Sequence, residues 1–313
     1  MMNDIAVLIP CYNEAMTLKK VIDDCKKYIP NAKVYVYDNN STDESSKIAK
    51  DAGAIVRYER KQGKGNVVRT MFREVDAKCY ILVDADDTYS LANAQNMCDK
   101  VLNESYDMVI GDRLSSTYFN ENKRAFHNVG NKIVLYAINY FFNTDIKDVM
   151  TGYRALSYNF VKTFPVLSKG FEIETEMTIH AAYHNMNICN EVIDYKDRPA
   201  TSPSKLNTIS DGIKVLKTIF GLYKNCRPIY FFSYVSLILI AVASIFFIPI
   251  FMEYLHTGYV KKIPTLIVCG FVFVSAILLF FSGLILSTFS EKEKKDFEFK
   301  LQLFSHIGGG KYE

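Results

Sequence analysis

The chain has 313 residues, 49% of them hydrophobic and 23% charged, enough material for one large domain or two ordinary ones. Thirty-seven Lys and Arg against 34 Asp and Glu leave a net charge of +3, too balanced for a disordered tail protein and too weak for general nucleic-acid binding. Seven scattered cysteines without a Cys-x-x-Cys pair argue against a disulfide framework and a zinc ribbon, and fit a reducing setting.

The N-terminus reads without a signal peptide, because Asp4 interrupts it and the first apolar run is only Ile5 to Ile9. That run predicts a strand buried on both faces. Leu18, Val21, Ile22 and Cys25 follow at the spacing of one helix face. Val34 to Tyr37 reads as a second strand, and Ser41-Thr-Asp-Glu44 as a capping box opening a second helix. Ile55 to Tyr58 is a third strand, with a helix from about Asn66. Tyr80 to Val83 is a fourth strand, Leu91 to Leu102 a helix, and Met108 to Ile110 a fifth strand. The alternation predicts an α/β fold, a Rossmann-like, mostly parallel sheet with helices on both faces.

The C-terminal third differs. Mean hydropathy is +0.02 despite the many charges, so the apolar residues are segregated. No charged residue occurs from Ile229 to Met252, nor from Ile263 to Ser290. At about 1.5 Å per residue each run is long enough to cross a hydrocarbon core of roughly 30 Å. The short connector, Glu253 to Lys262, makes the pair a hairpin, with spans expected at 229–252 and 263–289. Lys214, Lys217, Lys224 and Arg227 precede the first span. Lys292, Lys294, Lys295 and Lys300 follow the second, against Lys261 and Lys262 in the connector. The positive-inside rule then puts both ends in the cytoplasm. The expected organisation is a cytoplasmic domain over 1–207, a juxtamembrane amphipathic helix over 208–228, the membrane hairpin over 229–290 and a cytoplasmic tail over 291–313. Gly270 and Gly283 are small residues through which such hairpins could pack into a homo-oligomer.

Polar groups fall where ligands gather in such sheets, at the carboxyl ends of the strands. Pro10-Cys-Tyr-Asn-Glu14 follows the first strand, Asp38-Asn-Asn-Ser-Thr-Asp43 the second and Asp84-Ala-Asp-Asp-Thr88 the fourth. Three acidic clusters on one edge repel one another unless cations sit among them. Asp84 and Asp86 suit a hard divalent metal, Mg²⁺ or Mn²⁺, bridging the phosphates of a nucleotide-diphosphate substrate. A P-loop is absent. Gly63-Lys64-Gly65 is no dinucleotide fingerprint, since Val68 holds the third glycine position.

These motifs, in this order, resemble an inverting family 2 glycosyltransferase of GT-A type. Gly111-Asp-Arg113, Arg124 with Asn128, Asp148-Val-Met-Thr-Gly-Tyr-Arg154 and Arg198-Pro-Ala-Thr-Ser-Pro-Ser204-Lys205-Leu-Asn207 narrow the resemblance to polyprenyl-phosphate glycosyltransferases. That group includes the bacterial bactoprenol glucosyltransferases and the dolichol-phosphate mannose synthases, and the hairpin matches the bacterial type. The resemblance implies that Pro10, Tyr12, Glu14, Asp38 and Lys64 hold the nucleotide, with Asp84 and Asp86 on the metal and diphosphate. It implies that Arg113, Arg124, Asn128, Arg198, Ser204 and Lys205 receive the lipid phosphate. Thr88 stands where related synthases often have Gln, which leaves a third metal ligand open.

The reaction that the resemblance implies moves a sugar from a nucleotide-diphosphate donor onto undecaprenyl phosphate, for use in the cell envelope; UDP-glucose or another UDP-hexose is favoured over a GDP-sugar only because bacterial relatives with this hairpin mostly use UDP. A phosphate monoester is largely ionised at neutral pH, so this acceptor needs aligned cations rather than a strong base. Asp148 is then expected to orient a cation, with a base role as the alternative. Two rival readings are a processive polysaccharide synthase and a catalytically silent membrane scaffold; a chain without Trp lacks the acceptor motif of the first. Phe126 to Phe142 and Ile209 to Tyr223 are expected to be interfacial helices. His180 and His184 share a helix face, but Ala181 replaces the Glu of a zinc-protease motif, so they read as structural. Glu172, Glu174 and Glu176 are expected just before that helix, with one of them a candidate to touch the donor sugar.

Overall fold

The computed structural model describes residues 3–116, 135–170, 172–196, 217, 220–221 and 223–309. The chain divides into two compact units, residues 1–219 with 299–313, and residues 220–298. In the first unit the strands are β1 (Asn3–Cys11), β2 (Lys33–Asp38), β3 (Ile55–Tyr58), β4 (Ala77–Leu82), β5 (Met108–Asp112), β6 (Arg154–Ser157) and β7 (Ile188–Val192). The helices are α1 (Leu18–Tyr28), α2 (Ser45–Asp51), α3 (Lys64–Glu74), α4 (Ala94–Asn103), α5 (Tyr158–Thr163) and α6 (Ile173–Tyr183).

The sheet order is β3-β2-β1-β4-β6-β5-β7. All pairings are parallel except those of β6, which runs antiparallel between β4 and β5. The mostly parallel α/β sheet expected from the alternation is present. β6 and β7 add to the expected strands: β6 is four residues long and opens on an arginine, and β7 carries Asn190 and Glu191 and makes no apolar run. Ile5, Val7 and Ile9 of β1 join one core cluster with Leu18, Val21, Ile22 and Cys25 of α1 and Met97, Cys98 and Val101 of α4. The alternate residues Ala6 and Leu8 are equally buried on the opposite face, where α3 meets β1 and α5 meets β4.

Register brings the strand ends level. Cys11 lies beside Asp38, and Leu8 beside Leu82. The loops leaving β1, β2 and β4 each turn through a left-handed residue: Asn13 (φ 53°), Asn40 (φ 65°) and Asp87 (φ 58°). Asn and Asp tolerate that region better than most side chains. All three acidic segments of the sequence therefore turn sharply at one edge.

The second unit holds most of α7 (Pro228–Thr257) and α8 (Ile263–Gly309), whose most apolar stretches have mean hydropathies of 2.7 and 2.6. Both are long and apolar enough to cross a membrane. Each extends past the predicted span, and α8 continues unbroken through the charged residues after Ser290. Ser236 Oγ donates to the Ala276 carbonyl at 2.8 Å, tying the two helices together. A Cβ on Gly283 would lie 2.8 Å from Cβ of Phe232, whereas one on Gly270 would meet nothing within 4 Å. Gly283 thus serves the packing within the hairpin.

Candidate active site

The loops after β1 and β2 are stitched together. Asn13 N–H donates to Ser41 Oγ (2.9 Å), Thr42 N–H to Asn13 Oδ1 (2.7 Å) and Glu14 N–H to Ser45 Oγ (2.9 Å). Ser41 N–H donates to Asp38 Oδ1 at 3.0 Å, closing a turn over the end of β2. The capping box predicted at Ser41–Glu44 does not form. Ser41 is engaged by Asn13, α2 begins at Ser45, and Asp43 Oδ1 takes the N–H and hydroxyl of Ser45 instead. Glu14 and Asp38 are buried at this seam, while Tyr12 is 38% exposed. Pro10 sits in β1 opposite Tyr37. Asn39, which no sequence signal singled out, accepts from Gly63 N–H (2.7 Å) and donates to the carbonyls of Glu59 and Lys61. It thereby fastens the end of β2 to the turn that opens α3.

Lys64, the first residue of α3, has its Nζ 2.5 Å from Asp84 Oδ1 and 2.6 Å from Glu174 Oε1. Gly63 and Gly65 flank it because a Cβ on either would lie 2.2 Å from a backbone carbonyl oxygen, of Lys169 and Ser168 respectively. Gly152 serves Asp84 in the same way: a Cβ there would stand 2.3 Å from Asp84 Oδ2 and 2.9 Å from Lys64 Nζ. Burial opposes the charge on Lys64, but Asp84 and Glu174 outweigh it and hold the ammonium above its ordinary pKa. Burial raises the carboxyl of Glu174 above the usual range in spite of Lys64.

The three alternating glutamates lie at the N-cap and in the first turn of α6, not before the helix, and each is used differently. Glu172 accepts the N–H groups of Lys169 and Gly170, Glu174 takes Lys64, and Glu176 accepts those of Leu167 and Ser168. Carboxylates suit a helix N-terminus, so the pattern is locally favourable as well.

Asp86 is buried, and its Oδ1 accepts the N–H (3.2 Å) and the hydroxyl (2.7 Å) of Thr88. Thr88 therefore braces Asp86. The buried phenol of Tyr89 accepts Gly152 N–H at 3.0 Å. Burial raises its pKa, and Arg113, Asp84, Asp86 and Lys64 all act on it electrostatically. Among the described residues no three His, Cys, Asp or Glu side chains converge into an all-protein metal cage. Two hard carboxylates at a strand end, one cradled by a glycine, fit a cation whose remaining ligands are phosphate oxygens and water.

Arg113, just past β5, donates through Nε to Asp148 Oδ2 at 2.6 Å and through Nη2 to Asp148 Oδ1 at 3.4 Å. Its guanidinium carbon lies 5.8 Å from the ring centre of Tyr195. Asp148 is almost wholly buried, so its place in the fold is that of a carboxylate fixing an arginine. Arg154 is fully buried and donates to the carbonyls of Thr151 and Val149 and to Thr178 Oγ1, bracing the turn that carries Gly152. Burial lowers its pKa to about 10. Arg124, Asn128, Arg198, Ser204 and Lys205 lie outside the described residues, as does most of the segment 209–223.

Residues 6–163 match the family model for glycosyl transferase family 2. AglJ, a glycosyltransferase of Haloferax volcanii, is 31% identical over 295 residues, which cover 93% of this chain and 96% of that one. The chain belongs to glycosyltransferase family 2. A second Haloferax volcanii relative of this glycosyltransferase, named dolichyl-phosphate hexose transferase, is 26% identical over 69% of the chain and 92% of its own length. RfbJ of Shigella flexneri is 52% identical over 110 residues, 35% of this chain and 85% of that one. In fold the glycosyltransferase is similar to glucosyl-3-phosphoglycerate synthase from Mycobacterium tuberculosis, solved with Mn²⁺, UDP-glucose and phosphoglyceric acid. That likeness has a TM-score of 0.56 at 17% identity, over 71% of this chain and 80% of that one.

The family match spans the loops carrying Pro10 to Asp148 and stops short of Glu174. His180, in the same helix of this glycosyltransferase, packs edge-on against Phe160 and Phe164, with ring centres 5.9 and 5.1 Å away. Burial, and secondarily His184, lowers its pKa to about 3. Both observations support the structural reading of the pair. Helical residues 135–142 turn Ile138 and Phe142 into the protein and leave Tyr136 and Tyr140 exposed, their rings stacked at 6.0 Å.

Proposed function

We propose that this glycosyltransferase moves a hexose from a UDP-sugar to a polyprenyl phosphate at the cytoplasmic face of a membrane, with inversion at the anomeric carbon. The observation that carries the reading is a pair of largely buried ion pairs at the sheet edge, Lys64 with Asp84 and Arg113 with Asp148. Asp84 and Asp86 with Lys64 supply groups for one anion and its metal, and Arg113, clamped by Asp148, brings a cation for a second anion. One edge thus has groups for a metal–diphosphate and for a separate phosphate. The apolar helices α7 and α8 support a membrane-borne acceptor, and the exposed tyrosines at 136 and 140 are suited to a lipid headgroup layer.

In this reading Tyr12, Glu14 and Asp38, on the seam beside Pro10, hold the base and ribose. Asp84 and Asp86 hold Mg²⁺ or Mn²⁺, which when bound neutralises the diphosphate and eases its departure. Lys64 keeps the strand-end carboxylates from repelling one another before the donor arrives, with Glu174 as its second counter-ion. Arg113, with Arg124, Asn128, Arg198, Ser204 and Lys205, aligns the acceptor phosphate behind the anomeric carbon. A phosphate oxygen forms the new bond to that carbon as the bond to the diphosphate breaks, and the nucleoside diphosphate leaves. The acceptor is already largely deprotonated at neutral pH, so Asp148 orients Arg113 and is not required as a base. The domain organisation that goes with this is a catalytic unit over 1–207, an amphipathic helix over 208–228 and a hairpin over 229–290.

The test is transfer of labelled sugar into an organic-extractable lipid by detergent-purified protein. It supplies undecaprenyl phosphate, a panel of UDP- and GDP-sugars, and Mg²⁺ or Mn²⁺. Label in the lipid phase with one UDP-hexose, abolished by EDTA and by Asp86→Asn, is the expected result. No transfer from any donor by protein that still binds UDP would overturn it.

A further inference from the structure

Lys64, Asp84 and Glu174 meet in one cluster but are not held alike. Lys64 and Glu174 belong to one fastened frame. Gly65 N–H donates to the Lys169 carbonyl at 3.1 Å, which fixes the start of α3 against the loop before α6. Glu172 and Glu176 accept the N–H groups of Leu167, Ser168, Lys169 and Gly170, which fixes that loop against the start of α6. The side chains of Lys64 and Glu174 are 9% and 6% exposed. Asp84 reaches the ammonium from elsewhere, the loop after β4, and its side chain is 23% exposed. Of these two carboxylates on Lys64, Glu174 is therefore the enclosed and fixed one, and Asp84 the one that a solute can reach.

Asp84 is also wanted twice. Lys64 Nζ lies 2.5 Å from its Oδ1, and the same carboxylate is one of two hard ligands suited to a divalent cation. The Gly152 backbone stands close behind both groups, since a Cβ there would lie 2.3 Å from Asp84 Oδ2 and 2.9 Å from Lys64 Nζ. A doubly charged cation on Asp84 repels an ammonium at such range, and enclosure strengthens the repulsion. The lysine then keeps its charge on Glu174, 2.6 Å away. A diphosphate brings further negative charge, which favours the metal over the ammonium on Asp84. The cluster also stabilises the fold, but that role makes a different prediction. Removing a merely structural lysine leaves metal affinity unchanged or lower, whereas removing a competitor raises it.

We infer that Lys64 competes with the divalent metal for Asp84 and is retained by Glu174 when it yields, so that metal binds firmly only together with the nucleotide diphosphate; this rests on the metal–diphosphate reading of Asp84 and Asp86. Binding of Mn²⁺ to the purified full chain, followed by the electron paramagnetic resonance of free Mn²⁺, tests it without sugar or lipid. Wild-type protein is expected to bind Mn²⁺ about tenfold or more tighter with UDP than without. Lys64→Met is expected to bind Mn²⁺ alone about tenfold tighter than wild type and to lose most of the UDP dependence. The double variant Lys64→Met with Glu174→Gln leaves no unpaired acid at 174, so it folds even where the single variant does not, and is expected to show the same gain. Glu174→Gln alone leaves the ammonium to Asp84 and is expected to weaken Mn²⁺ binding in the presence of UDP about fivefold. Adding Asp84→Asn to the double variant should remove the gain. Lys20→Met, which takes an ammonium from neighbouring Asp87, is the control for charge alone and should shift Mn²⁺ affinity less than twofold. Equal or weaker Mn²⁺ binding in the Lys64 variants, a gain that survives Asp84→Asn, or an equal gain in Lys20→Met would overturn the inference and leave lipid transfer untouched. Mn²⁺ bound by no form, with UDP or without, would overturn it together with the metal's part in the proposed function. If wild-type protein transfers sugar to no lipid, the acceptor reading falls by itself, and the Mn²⁺ affinities still decide this one.

Discussion

Lys64 carries its charge into a site where its side chain is 9% exposed, with a carboxylate on either side. Removing the cation while leaving both acids breaks a buried ionic group, a change that costs about 3 kcal/mol or more. Lys64→Met is therefore expected to lower the melting temperature in detergent by roughly 5–10 °C and to abolish transfer; an unchanged melting temperature would show that Asp84 and Glu174 do not depend on it. Gly152→Ala probes the same cluster from the backbone. Its new methyl would displace the Asp84 carboxylate, and displacement of about 1 Å at a reacting group costs on the order of a hundredfold in kcat/KM. Circular dichroism should stay unchanged while the rate falls. His180 is a separate matter of pH. Its folded pKa, lowered to about 3, lies below its ordinary 6.5, so its neutral form belongs to the folded state. Stability is full above pH 6.5 and falls as the pH drops toward 3, with a slope of up to about 1.4 kcal/mol per pH unit. His180→Phe, packed against Phe160 and Phe164, is expected to flatten that acid limb in a denaturation series.

At the scale of elements, what the sequence made legible was whatever a short window contains. Continuous apolar runs mark β1, β2 and β4, and the spacing of Leu18, Val21, Ile22 and Cys25 marks α1, because burial on a sheet or along one helix face leaves a period. The acidic segments at the strand ends were legible for the same reason, and Lys64 and Asp84 do come together. Glu174 was not legible as their partner. It stands among three glutamates of similar local setting, and only the packing of α6 against the start of α3 separates its role from those of Glu172 and Glu176. The capping box failed because a contact from another loop, Asn13 to Ser41, competes for the serine hydroxyl that a local motif assumes to be available. β6 escaped notice because Arg154, its first residue, is buried by hydrogen bonds to Thr151, Val149 and Thr178 and gives no apolar signal. The hairpin adds a test of its own. Gly283→Leu forces a branched side chain against Phe232, an overpacking cost of about 1–3 kcal/mol, whereas Gly270→Leu projects into open space. Thermal stability in detergent should fall for the first and hold for the second; a drop in particle mass by light scattering for Gly270→Leu would assign that face to a second copy.

For the molecule as a whole, the proposed transfer needs the strand-end site and the basic flanks of the hairpin on one side of the membrane and the connector on the other. Tyr259, 77% exposed between α7 and α8, offers the site to check this. In a cysteine-free background Tyr259→Cys should react with a membrane-impermeant maleimide in intact cells, and a cysteine at exposed Glu44 only after lysis. The reverse pattern would place the donor site where nucleotide sugars are not made. The proposed function makes one demand above the others, that the acceptor be an anion carried by a lipid. The most direct measurement therefore compares undecaprenyl phosphate with undecaprenol as acceptors for the purified enzyme, using the same labelled UDP-hexose and metal, with the anomeric configuration of the product read by NMR. The expected result is label on the phosphate alone, in an acid-labile product of inverted configuration. Equal transfer to the alcohol, growth of a polymer, or retained configuration would contradict it.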